Sequence, residues 1–231
     1  MSDRFYPISL KFLLKSINSE LAKKNSFFGI PAELFYKPHK FKAFHQNIFG
    51  KTLDNPVGVA AGPQTQLSQN IVAAWLMGAR YIELKTIQTL DEIDVAKPCI
   101  DMQDEGYNCE WSQELKIRNS FNEYLNAWIA IHYLNHKLGI SPEINTIFNM
   151  SAGYDLKGIM QDNVQWFFRK MKNSSEELEA KINEIKEEFP GISEINIPAQ
   201  ISDNITLSTM HGCPADEIEA IARYLMEETN L

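Results

Sequence analysis

The sequence predicts an α/β protein of the (β/α)8 TIM-barrel type, represented by its first four β/α units behind an N-terminal helical extension. Two observations predict it. From Thr52 onward, short apolar runs bounded by turn residues alternate with amphipathic stretches of helical length. Strands joined through a helix must also run parallel. A complete barrel of this type takes about 250 residues. Residues 51–231, with their long loops, leave room for the N-terminal half only, and residues 1–50 form the extension.

The elements follow in order. Leu10, Leu13, Leu14, Ile17 and Leu21 recur near helical spacing, which predicts an amphipathic helix over 8–23. "FFGIPAELFYKP" reads as an aromatic packing segment. "NPVGVAA" is the first strand. In "SQNIVAAWLMG", Ser68 can cap a helix, Ile71, Val72, Trp75 and Leu76 form its stripe, and Gly78 ends it. "RYIELKT" is the second strand. Residues 88–117 are expected as a loop or small hairpin. A helix is predicted over 121–138, with Ser120 and Glu123 as a capping box and Gly139 as its stop. "TIFNMSAGY" and "NITLSTM" are the third and fourth strands. "NVQWFFRKM" opens the helix behind the third, and "SSEELEAKINEIKEEF" is a charged, solvated helix stopped by Pro190. In "PADEIEAIARYLMEE", Pro214 is expected at the first helical position.

Composition narrows the class. The chain has 231 residues, 44% hydrophobic and 23% charged, with a net charge of -8, and no basic stripe of the kind nucleic acid requires. Cys99, Cys109 and Cys213 form no C-x-x-C pair, which favours a reduced, cytoplasmic protein. "MSDRFYPISLKFLL" lacks the apolar core of a signal peptide. No apolar run reaches the roughly 18 residues of a membrane helix.

In such barrels chemistry sits at the C-terminal ends of the strands. Those ends supply Ala60, Ala61 and Gly62 from the first strand and Lys85 and Thr86 from the second. The third gives Asn149, Ser151 and Gly153, and the fourth Ser208, Thr209, His211 and Cys213. The set is a bare platform, a cation and hydroxyls, without a carboxylate dyad or a metal set. The platform suits a large flat ligand, because stripped side chains let it approach the backbone. Cys213 is expected just before a helix N-terminus, where a thiolate is favoured. His132 and His136 stand four apart on a helix, but no third metal ligand accompanies them.

The stretches "NPVGVAAG", "GARYIELKT", "GYNCEW" and "LSTMHG" resemble, in order, those of the dihydroorotate and dihydropyrimidine dehydrogenase flavin barrels. "AGPQTQLSQNIV", "KPCID", "FNMS" and "LSTMHGCP" extend the likeness from Met1 to a dihydropyrimidine-dehydrogenase-like bacterial family associated with selenate reduction. The resemblance implies an FMN-dependent oxidoreductase acting on CH–CH bonds. It places Ala60, Ala61, Gly62, Lys85, Thr86, Glu110 and Thr206 around the flavin. Asn108, Ser208 and His211 face a small-molecule substrate. Thr209 stands where the family has a Cys or Ser acid, with Cys213 as its chemical rival and Lys85 as the stabilising cation. Thr206 replaces a flavin-contacting asparagine. The resemblance also implies iron–sulfur clusters and NAD(P)H, held by other domains or subunits. The later strands carry the phosphate-binding turns, so the flavin site is expected to be incomplete here. Open sheet edges and an apolar barrel interior would then drive homo-oligomerisation or other assembly. The rival readings are a non-catalytic interaction subunit and a barrel lyase with Lys85 as a Schiff base.

Overall fold

The computed structural model describes residues 5–38, 42–89, 100–101, 108–109, 114–208 and 213–229. Its centre is a parallel four-stranded sheet: β1 (Gly58–Val59), β2 (Tyr81–Glu83), β3 (Ile147–Ala152) and β4 (Ile205–Leu207). The strands lie side by side in chain order. Gly58 pairs with Tyr81, Glu83 with Asn149, and Ser151 with Thr206. Each unit adds one strand at the edge, which is how a (β/α)8 barrel grows.

The longer helices are α1 (Leu10–Lys24), α2 (Ser68–Leu76), α3 (Ile117–Leu138), α4 (Asp162–Lys172), α5 (Ser175–Ile185) and α6 (Ile218–Tyr224). Alternation divides the sheet into two faces. Ile82, Leu84, Phe148, Met150 and Ala152 are fully buried against Val72, Trp75, Leu125, Ile129, Phe167 and Phe168 of the helices. The opposite face carries Gly58, Tyr81, Glu83, Asn149, Ser151 and Thr206. It is polar, so the apolar interior expected from the sequence is not what these four strands present.

Three helix starts differ from expectation. α3 begins at Ile117, and Ser120 lies inside it, its amide bonded to the Lys116 carbonyl. Ser68 is the first residue of α2 rather than its cap. The cap comes from another helix: the Glu123 carboxylate accepts from the Ser68 amide at 2.8 Å. A short-range motif is indistinguishable in sequence from a carboxylate meant for a neighbour. α6 begins at Ile218, four residues after Pro214. The chain enters it through a turn that buries Cys213.

The N-terminal segment joins the same core through Leu10, Leu13, Leu14, Ile17, Phe27 and Phe35, while Phe28 stays exposed at a hairpin tip. A second hairpin, Gln46–Ile48 with Lys51–Leu53, closes the N-terminal end of the sheet. The Asp54 amide reaches the Asn145 carbonyl at 3.3 Å, and Lys51 pairs with Asp203, both just ahead of β3 and β4. The expected division at 50/51 falls at this hairpin's turn. Residues 88–117 include a small hairpin, Ile100–Asp101 with Asn108–Cys109. Among the described residues no helix is long and apolar enough to cross a membrane.

One ion pair locks the closed end. Arg80 and Asp54 are 1% and 2% exposed, with Arg80 Nε 3.1 Å from Asp54 Oδ2. Arg80 also donates to the Trp75 and Ala79 carbonyls at 2.7 and 2.9 Å. Its guanidinium stacks on Tyr36 and Trp75, 4.9 and 4.7 Å from the ring centres. Removing one partner strands a charge in the core. Asp54→Ala is therefore expected to cost about 3–5 kcal/mol in urea unfolding. A loss below about 1 kcal/mol, the scale of an exposed pair, would show that the pair does not hold this end together.

Candidate functional site

The end of β2 is irregular, and the irregularity builds the site. Glu83 is level with Asn149, and Ile87 with Ala152. Four steps along the second strand therefore face three along the third, which is a one-residue bulge. Leu84 donates its amide to the Asn149 carbonyl at 3.0 Å, and Ile87 donates to Ser151 at 2.9 Å. Lys85 and Thr86 lie between these two bonds. In an unbroken strand Thr86 would turn to the helices. The extra residue turns it to the polar face instead, where its hydroxyl meets the Ser151 hydroxyl at 2.8 Å. Lys85 and Thr86 are 3% and 2% exposed. Bulges of this kind recur beside active sites because they re-aim side chains.

The stripped end of β1 has two separate causes. A Cβ on Gly58 would sit 2.6 Å from the Tyr81 carbonyl oxygen, so this glycine is required for strand approach. Gly62 has extended backbone, and the nearest atoms a Cβ there would meet belong to the Gln64 side chain. Beyond the strand Ala60 is exposed and Ala61 and Gly62 are half-buried. The turn Pro63–Gln66 that follows is tightly tied. Thr65 Oγ1 accepts from the Gly62 amide at 3.2 Å, and buried Gln66 bonds Glu114 and the Leu115 amide. The platform is thus held rigid by groups outside it.

Between platform and bulge stands a carboxylate that the strand-end survey missed. Asn149 Nδ2 donates to Glu83 Oε2 and to Thr206 Oγ1, both at 2.8 Å. Burial raises the Glu83 pKa above its ordinary value, partly offset by hydrogen bonds from Thr206, Asn149 and Tyr81. Burial, with Glu83 beside it, pushes the Tyr81 phenol up to about 12. Glu83 Oε1 is buried without a hydrogen-bond partner among the described residues. The signal was the period-two alternation of "RYIELKT", which puts Tyr81, Glu83 and Lys85 on one face.

The structure brings Lys85, Thr86, Thr206 and Ser208 to one end of the sheet. The Ser208 amide extends the ladder to the Ala152 carbonyl at 2.9 Å. Thr206 is exposed on the polar face. Asn108 has a defined backbone in the small hairpin, paired with Asp101. Thr209, Glu110 and His211 lie outside the described residues. Cys213 departs from its expected chemistry. It is 3% exposed within the apolar core, and burial and Glu217 raise its pKa. The helix start that would have favoured a thiolate lies at Ile218. His132 is a core residue: its Nδ1 bonds the Trp128 carbonyl at 2.8 Å, and burial lowers its pKa. Among the described residues no group of three or more His, Cys, Asp or Glu could hold a metal.

A family model described as "Oxidoreductase YgfK, N-terminal TIM-barrel domain" matches residues 28–231. Across its whole length the chain is 43% identical to the protein named "Putative oxidoreductase YgfK" in Escherichia coli strain K12. Identity to the protein of that name in E. coli O157:H7 is also 43%. The chain spans 24% of the length of each.

The Glu83 pKa gives a test with a definite sign. Because the folded-state value is raised, its contribution to stability is fully present below the ordinary 4.5 and lost as pH rises through the folded value. Glu83→Gln removes that loss while keeping the hydrogen-bonding shape. The stability of the variant relative to the parent should therefore rise from about pH 4 to about pH 8. Thermal unfolding across that range reads it, and a flat or falling difference would contradict a carboxyl strained by burial.

Proposed function

Because the chain belongs to the family of the YgfK N-terminal TIM-barrel domain, we propose that its strand-end face is the ring-facing part of an FMN site. The enzyme would be an oxidoreductase of the dihydropyrimidine and dihydroorotate dehydrogenase type. The observation that carries this reading is the bulge at Lys85–Thr86. It turns the Thr86 hydroxyl to the polar face with buried Lys85 next to it in the chain, on the strand beside the one that ends in the bare Ala60–Gly62 segment. The donor set fits a flavin ring. Glu83 Oε1 is an acceptor that lacks a partner among the described residues, on the face where a ring N–H could meet it. Ala60 and Gly58 leave the backbone open to a flat surface.

When bound, FMN supplies the acceptor and donor of hydride. The chain's own residues do the rest. Ala60, Ala61 and Gly62 line the ring edge. Lys85 stabilises the negative charge that a reduced flavin gains on its pyrimidine side, and Thr86 and Thr206 offer hydroxyls to the ring. Asn108, Ser208 and His211 belong to the substrate side by resemblance, and Glu110 to the flavin side. Thr209 is the proposed proton relay, because Cys213 is buried and its thiol is favoured over its thiolate. The substrate is a small unsaturated ring bearing a carbonyl. Iron–sulfur clusters and NAD(P)H, implied by the resemblance, would be held by other domains or subunits and would supply the electrons; the relatives are about four times as long as this chain.

Added in excess, FMN should show a saturable change in its visible spectrum. In the FMN-saturated protein Lys85→Ala should make the flavin potential more negative. In the full-length enzyme it should slow turnover by about 10²- to 10³-fold. A spectrum indifferent to protein would defeat the FMN reading. An unchanged potential in the variant would remove Lys85 from the site.

A further inference from the structure

We infer that Tyr124 is a positioning residue for the flavin-facing end of β2, holding the bulge that aims Lys85 and Thr86. The inference rests on the proposed function for the task of Lys85, but its geometry stands independently. The bulge sets the ladder amides of Leu84 and Ile87 three residues apart, while their acceptors, Asn149 and Ser151, are two residues apart. A carbonyl in such a stretch leaves the regular pairing pattern and takes its hydrogen-bond donor from elsewhere. The Tyr124 hydroxyl donates to the Lys85 carbonyl at 3.0 Å from the helix layer. Tyr124 is fully buried, and its ring packs edge-on against Phe167 with centres 6.1 Å apart.

The placement is specific. Tyr124 lies one residue after Glu123, the carboxylate that caps α2, so the same turn of α3 holds the start of α2 and the end of β2. A phenylalanine would fill the same apolar space, so packing alone does not call for a hydroxyl. Burial holds the phenol above its ordinary pKa, which keeps it a donor across the working range of pH. Losing the donor leaves a buried carbonyl without it. The cheapest relief is for the peptide to rotate, which carries the side chains of Lys85 and Thr86 with it.

The test is solution NMR of the 231-residue chain, with Tyr124→Phe compared to the parent. The expected result is an upfield move of the Lys85 carbonyl carbon together with shifted side-chain resonances of Lys85 and Thr86. Resonances of residues 10–17 should stay in place. A second protein with 3-fluorotyrosine at 124 retains the ring and strengthens the donor, so the Lys85 carbonyl carbon should move the opposite way. If Lys85 is unmoved in both proteins, Tyr124 only packs and the inference is wrong. Should Tyr124→Phe fail to fold, the fluorotyrosine protein decides the matter alone. Neither measurement involves flavin, so a chain that does not bind FMN would sink the proposed function and leave this test standing.

Discussion

The buried carboxylate of Glu123 is the interaction on which the arrangement of the strand ends depends. It is 0% exposed and accepts from the Ser68 amide, with Asn126 also bonded to it. Burial of a carboxylate is unfavourable, and its raised pKa reports that cost. What offsets it is position. The carboxylate sits at the N-terminus of α2, where unpaired amides and the helix dipole favour negative charge by about 0.3–2 kcal/mol. Because the cap comes from α3, it does more than finish a helix. It fixes where the Ala60–Gln66 segment must end, and so where the bare platform stands relative to β2. Gln66, bonded to Glu114 and Leu115 just ahead of α3, ties the same segment a second time.

From that anchor the two faces of the sheet take different tasks. One packs Ile82, Phe148 and Met150 against the helices and supplies the apolar burial that stabilises the fold. The other keeps Glu83, Asn149, Ser151 and Thr206 in a connected polar row. Barrel interiors are usually filled with branched apolar side chains. A polar row there lowers the stability that the sheet could have had. Such local concessions are characteristic of functional surfaces.

The fold was legible in the sequence because its signals are local. Strand runs, the stripe of α2, the stop at Gly139 and the order of units all follow from periodicity and turn residues within short windows. The misreadings share a physical cause: what decides each of them lies outside the short window in which a sequence signal is read. Glu123 stands three after Ser120 and looks like half of a capping box, yet it caps a helix 55 residues earlier. Cys213 looks like a helix-start thiolate until the chain delays α6 to Ile218. The bulge was invisible because it is a mismatch between two strands, and "IELKT" alone contains no trace of its partner's register. Glu83 could have been found, since alternation from Lys85 leads straight back to it.

The central claim is that the end of this sheet, rather than any groove among the helices, receives the flavin ring. The direct measurement is an FMN titration of isotope-labelled protein, with each backbone resonance followed by NMR. The account predicts that the largest shifts fall on residues 58–62, 83–87, 149–151 and 206–208. It predicts none in the outer groove formed by α3, α4 and α5, lined by Phe121, Trp166 and Lys181. Shifts concentrated in that groove, with the strand ends silent, would contradict it.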